Sequence, residues 1–155
     1  MLLAPRLVIG VAPWRDAEAV RRAVAGWVEA SLDNAGAPDR AVWVAQAGEE
    51  VVGLVTAAER RHFTGEVDAY VGELVVDVDH ERRGVGTLLL NAVEEWARRR
   101  GLRHLTLETG AGNAPARAFY ARSGYREEDV RLTKGLDQSS TPAQSEKEGQ
   151  WDGTS

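Results

Sequence analysis

The stretch Leu74-Val-Val-Asp-Val-Asp-His-Glu-Arg-Arg-Gly-Val-Gly-Thr-Leu-Leu-Leu90 decides the fold. An apolar strand ends, a polar turn follows, glycines fall at Gly84 and Gly86, and an amphipathic helix begins at once. Val85, Leu89, Ala92, Val93 and Trp96 share one helical stripe, so the spacing predicts a helix over Gly84 to Arg100 with that stripe on a core. The first amides of such a helix have no partners within it and sit at the positive end of its dipole. A phosphate is their natural occupant. Gly84 and Gly86 keep side chains out of its way, and Arg82 and Arg83 add charge beside it. A plain helix start, with glycines for tight packing, is the competing reading of this segment. A P-loop would require a Lys that is missing here, and a dinucleotide fingerprint would require a third glycine where Leu89 stands.

Outward towards the C-terminus, Gly101 closes the helix and His104–Thr109 reads as a strand. Pro115 to Arg122 reads as a second helix, with Asn113 as its N-cap, and Asp129–Thr133 as a last strand. Towards the N-terminus, Tyr70–Val78 is the strand that feeds the quoted turn. Ala41–Ala47 and Val51–Ala57 form a hairpin across Gly48–Glu50, and Arg60–Val67 is a second connection with Thr64–Gly65 at its tip. Ala17, Val20, Val24 and Trp27 recur at helical spacing behind an Asp16 N-cap. Leu7–Ala12 reads as a first strand. Trp27 and Trp43 sit on apolar stripes and are expected in the core. The order β-α-β-β-β-α-β-α-β implies an α/β fold of the α+β mixed-sheet kind, not a full doubly wound parallel sheet.

The bulk numbers set limits. The 155 residues suit one domain, taken as residues 1–136, with a disordered tail at 137–155 rich in Ser, Thr, Gln, Glu and Gly. The chain has no cysteine, which excludes disulfides, thiolate metal sites and a cysteine nucleophile. His62, His80 and His104 lack metal-ligand spacing, so no metal is expected. The net charge is −5, of which residues 136–155 carry −3, so the body is only mildly acidic. Nucleic acid is therefore not expected as the main partner. No apolar run approaches the ~18 residues of a membrane span, and the first ten residues lack signal-peptide character. A cytoplasmic protein is the expectation.

The quoted turn resembles the acetyl-CoA loop of the GNAT N-acetyltransferase superfamily, Q/R-x-x-G-x-G/A, read here as Glu81-Arg82-Arg83-Gly84-Val85-Gly86. Glu81 departs from the usual Gln or Arg. A second block, Asn113-Ala-Pro-Ala-Arg-Ala-Phe-Tyr120-Ala-Arg-Ser-Gly124-Tyr125, is similar to the family's N-x-x-A-x-x-F-Y-x-x-x-G-F, with Tyr125 for the last Phe. Leu74–Val76 resembles its L-x-V strand. The resemblance spans about Tyr70 to Tyr125. It implies an acyl-CoA N-acyltransferase fold: a mostly antiparallel sheet with a parallel splayed pair, flanked by helices.

The resemblance also implies roles. Amides of Arg82, Arg83, Gly84, Val85, Gly86 and Thr87 would hold the pyrophosphate of acetyl-CoA. The backbone of Leu74 and Val76 would pair with the pantetheine arm, the Val76 amide polarising the thioester carbonyl. Asn113 would contact the cofactor, and Tyr120 would sit near its sulfur. Tyr120 is the candidate general acid, against the alternative of simple packing beside Phe119. Glu73, next to Leu74, is the candidate base, with Asp68, Glu108 and His62 behind it; burial of Glu108 in its apolar strand would raise its pKa. His80 is expected at the surface, and His104 without a catalytic role. The acceptor pocket is expected between the first helix, Ser31–Arg40 and Arg60–Val67, lined by Trp14, Trp27, Phe63 and Tyr70. Its charge stays open. The expected activity is direct acetyl transfer to a primary amine of a small molecule. Protein N-terminal or lysine acetylation and a non-catalytic CoA-binding module are the alternatives. A homodimer through sheet edges is expected by analogy.

Overall fold

The computed structural model describes residues 10–136. Residues 7–9 of the expected first strand lie outside the described residues, and Gly10–Ala12 are not strand; the tail 137–155 lies wholly outside. The chain divides into compact units at Tyr125/Arg126, and the elements below belong to the first. In order they are α1 (Ala17–Asp33), β1 (Arg40–Ala47), β2 (Glu50–Arg61), β3 (Val67–Val76), α2 (Val85–Arg99), β4 (Leu105–Leu107) and α3 (Ala114–Arg122). A 3₁₀ turn, Val78–His80, links β3 to α2.

The strands lie in the order β1-β2-β3-β4. β1, β2 and β3 pair antiparallel, and β3 pairs parallel with β4. That mixed sheet is the expected fold class. The parallel pair follows from the β3–α2–β4 crossover, because a helix between two strands returns the chain in the same direction.

One face of the sheet carries the main core. Val55, Ala57 and Val71 pack there with Leu89, Leu90 and Val93 of α2. Burying a leucine such as Leu90 contributes roughly 1.5–3 kcal/mol. Trp43 joins this face and meets Trp96 edge-on at 6.2 Å. α1 is capped by Asp16, which accepts from the Ala19 amide at 2.6 Å, and it buries Val24 and Val28. Among the described residues no helix is long and apolar enough to cross a membrane.

Two expectations fail here. Trp27 is not core: it is 60% exposed, because α1 turns only Val24 and Val28 fully inward. Asp129–Thr133 forms no strand, and Val130 and Leu132 stay exposed. Five residues with two apolar side chains do not make an independent strand, since a strand needs a neighbour to satisfy its backbone. The β3 strand also starts three residues earlier than its apolar run suggests, because Val67–Ala69 pair with Glu59–Arg61.

Candidate active site

Two local irregularities build the site. The first is the mouth of α2. Asp77 accepts from the Asp79 amide at 2.9 Å and turns the chain out of β3. Arg82 then takes a left-handed φ of 57° and Gly84 one of 83°. An arginine in that region is unusual, which marks the loop as held in shape by its surroundings. Among the described residues, no amide from Arg82 to Thr87 donates to a backbone carbonyl. Arg82, Arg83, Gly84 and Thr87 are exposed. A Cβ on Gly84 would meet nothing within 4 Å, so no side chain fills this space. At Gly86 the side-chain position lies away from that space. A Cβ there would lie 3.4 Å from the Phe119 ring and 3.8 Å from Val76, so it faces α3 and β3, not the mouth.

The second irregularity is a splay. β3 and β4 pair only over Ala69–Val71 and Leu105–Leu107. Beyond that point β3 continues to Val76 with β2 on one side and no β4 partner on the other. A bulge at the same place changes its phase: Gly72 and Glu73 together oppose Thr56. Before the bulge the Ala69 amide points to β4, bonding to His104 at 2.9 Å. After it the Asp77 amide points to β2, bonding to Val52 at 2.8 Å. Alternation along the strand then turns the backbone groups of Leu74 and Val76 towards the open side.

The splay opens into a cleft of about 610 Å³. Its walls include Trp27 and Ser31 from α1, Thr56 and Arg60 from β2, Tyr70, Glu73 and Leu74 from β3, and Asn113 and Tyr120 from α3. Glu73 is buried and faces this cleft. Its Oε2 accepts from the Ser31 hydroxyl at 3.1 Å and from the Thr56 hydroxyl. Tyr120 packs against Phe119 and Tyr125, and burial raises its pKa, so the phenol stays protonated at neutral pH. Tyr125 is raised further, chiefly by burial, and its hydroxyl has no hydrogen-bond partner among the described residues. The Asn113 side chain caps α3, accepting from the Ala116 amide at 3.3 Å.

Of the weaker base candidates, Glu108 is exposed rather than buried. It lines the cleft and pairs with Arg60 at 3.3 Å. Arg60 also lies 4.5 Å from the Tyr70 ring centroid. Burial raises the Tyr70 pKa, Glu108 adds to it, and Arg60 opposes it. Asp68 sits elsewhere, 3.3 Å from His104, beside a separate 230 Å³ cavity. His62 is at a hairpin tip, bonded to Thr64 and with its ring tilted against that of Phe63. His80 is half-buried near Asp77, not at the surface. Trp27 and Tyr70 line the cleft, whereas Trp14 and Phe63 do not. Thr56 escaped the sequence reading. Its relation to Glu73 is a cross-strand contact 17 residues apart, visible only once the bulge is placed.

Residues 10–125 match the acetyltransferase (GNAT) family. An uncharacterized N-acetyltransferase of Methanocaldococcus jannaschii is 42% identical over 62 residues, which are 40% of this chain and 27% of that protein. The [ribosomal protein bS18]-alanine N-acetyltransferase of Escherichia coli is 36% identical over 64 residues, 41% of this chain and 43% of that protein. The chain thus spans less than half the length of either relative. Among solved structures, AAC(6′)-Iy in complex with the bisubstrate analog CoA-S-monomethyl-acetylneamine superposes with a TM-score of 0.58 at 20% identity, covering 79% of this chain and 82% of that one. That likeness is one of fold.

Proposed function

Because the chain belongs to the GNAT acetyltransferase family, we propose that it is an acetyl-CoA-dependent N-acetyltransferase acting on a primary amine of a small molecule. One observation carries the reading: the unpaired amides at the mouth of α2 and the outward backbone of Leu74 and Val76 fit a long ligand with a diphosphate and an amide-bearing arm. Acetyl-CoA is such a ligand, and it supplies an activated acetyl group as a thioester. The amides of Arg82, Arg83, Gly84, Val85, Gly86 and Thr87 hold the diphosphate. Leu74 and Val76 pair with the arm, and the Val76 amide donates to the oxygen where negative charge develops. Asn113 borders the same cleft and contacts the ligand.

Glu73 takes the proton from the acceptor's ammonium, directly or through water, leaving a neutral amine. The amine adds to the thioester carbonyl and the C–S bond breaks; the Tyr120 hydroxyl gives its proton to the leaving sulfur, and the second proton shed by the nitrogen returns to the Tyr120 phenolate. Its raised pKa supports this, since the proton is present at neutral pH. With no cysteine to carry an acetyl group, transfer is direct, within a complex that holds both substrates.

The Arg60–Glu108 pair bridges β2 to the residue after β4 at the cleft wall, and a bridge there favours a small acceptor over a threaded chain. A second reading, acetylation of a protein N-terminus, rests on the alanine-acetylating relative from Escherichia coli. The same reading carries a cytoplasmic enzyme with no nucleic-acid or membrane partner, and a homodimer through a sheet edge. The test is release of free thiol from acetyl-CoA over a panel of small amines and N-terminal peptides, with calorimetric titration of CoA. Turnover on small amines is expected. Tight binding of acetyl-CoA without thiol release on any amine would leave a binding module. No binding at all would end the reading.

A further inference from the structure

We propose that Thr56 is a positioning residue for Glu73 and, through it, for removal of the acceptor's proton. The inference rests on the reading of Glu73 as base. One buried hydroxyl holds that residue at two points. Thr56 Oγ1 accepts from the Glu73 amide at 3.0 Å, and the same hydroxyl donates to Glu73 Oε2. Main chain and side chain of one residue are thereby fixed to one atom, which leaves the carboxylate little freedom to turn. The bulge makes this possible, because it sets two β3 residues, Gly72 and Glu73, against the single Thr56.

Gly72 supports the assignment independently. A Cβ at that position would lie 2.7 Å from Thr56 Oγ1, so any larger residue would push the hydroxyl aside. Ser31 adds the second donor from α1, across the cleft wall. Among the described residues, the partners of the carboxylate are thus hydroxyls and not cations. Hydroxyl donors fix the direction of the carboxylate without bringing a counter-charge to it. An arginine in their place would pair with the charge and oppose proton transfer to it.

The test is a carbon NMR titration of protein labelled at its glutamate carboxyl carbons, with Glu73 assigned by its loss in Glu73→Gln. Thr56→Val should raise the Glu73 pKa by about one unit, because a hydrogen bond to the charged form is lost. Thr56→Ser should restore it. The acid limb of kcat, measured at saturating acetyl-CoA and amine, should move upward by the same amount. If Thr56→Val does not fold, Gly72→Ala and Ser31→Ala test the same point, each with a smaller upward shift. A Glu73 titration unmoved by these changes overturns the proposal. A titration that moves while the acid limb stays put also overturns it, along with Glu73 as base, and leaves the transferase reading standing. Loss of CoA binding in the unaltered protein would instead strike at that reading.

Discussion

Val76→Pro separates the chemistry of the splay from its structural role. Proline removes one amide hydrogen and narrows φ. Elsewhere in a sheet this breaks a ladder bond, but here the Val76 amide points to the open side, away from β2. Proline is tolerated where the lost amide faces away from a partner strand. The stability cost is then about 1 kcal/mol, from altered packing of a half-buried side chain and from a tightened φ. The catalytic cost is larger. Removing one donor from a developing oxyanion lowers kcat by about 10²–10³, or 3–4 kcal/mol. Affinity for acetyl-CoA loses only one neutral hydrogen bond, about 1 kcal/mol, or roughly fivefold. Val75→Pro is the control. Alternation puts the Val75 amide on the β2 side, opposite Leu54, so that variant should lose a ladder bond and unfold. The assay is thiol release for kcat, calorimetry for affinity and thermal unfolding for stability. A folded Val76→Pro protein with unchanged kcat would refute the oxyanion role of this amide.

Tyr120→Phe should lower kcat about 10²-fold with little change in acetyl-CoA affinity, read by the same thiol assay. For the unaltered protein, a buried acid must keep its proton to act. On the alkaline side its activity should therefore fall as pH climbs through the tyrosine's raised pKa, above the ordinary value of about 10. Gly86→Ala should leave acetyl-CoA affinity within about threefold, since the added methyl meets Phe119 at an ordinary distance. A loss of two orders in calorimetry would put the side-chain position of Gly86, and not its amide alone, against the diphosphate. Gly110→Ala should cost more than about 2 kcal/mol in denaturant unfolding, because its Cβ would run into the Gly10 carbonyl group.

Much of the scaffold was legible locally. The α2 stripe put Leu89 and Val93 on the core, and both are buried. Asp16 and Asn113 cap the helices they were expected to cap. Gly48 turns the first hairpin and Gly101 follows α2, both at positive φ. What escaped is set by contacts far apart in sequence. Period alone could not tell that the bulge reverses the facing of β3 or that Thr56 meets Glu73. It could not tell either that Glu108 stays exposed beside Arg60. Trp27 shows the converse error. Its spacing fits an apolar stripe, yet helix α1 leaves it at the cleft rim. Gly86 was read for its lack of bulk, but the direction of the missing side chain depends on where α3 lies.

The parting of β3 from β4 has a consequence for the whole molecule. A seam fastened over only three residue pairs leaves polar backbone exposed within the body of the sheet. Those groups bond to water or to a guest lying in the seam. Any guest that prefers the folded chain strengthens it, by about 2.7 kcal/mol at a hundred times its dissociation constant. The acetyl donor would then act as a missing thread of the fabric as well as a reactant. The protein's lifetime against heat and proteases would follow the supply of that donor.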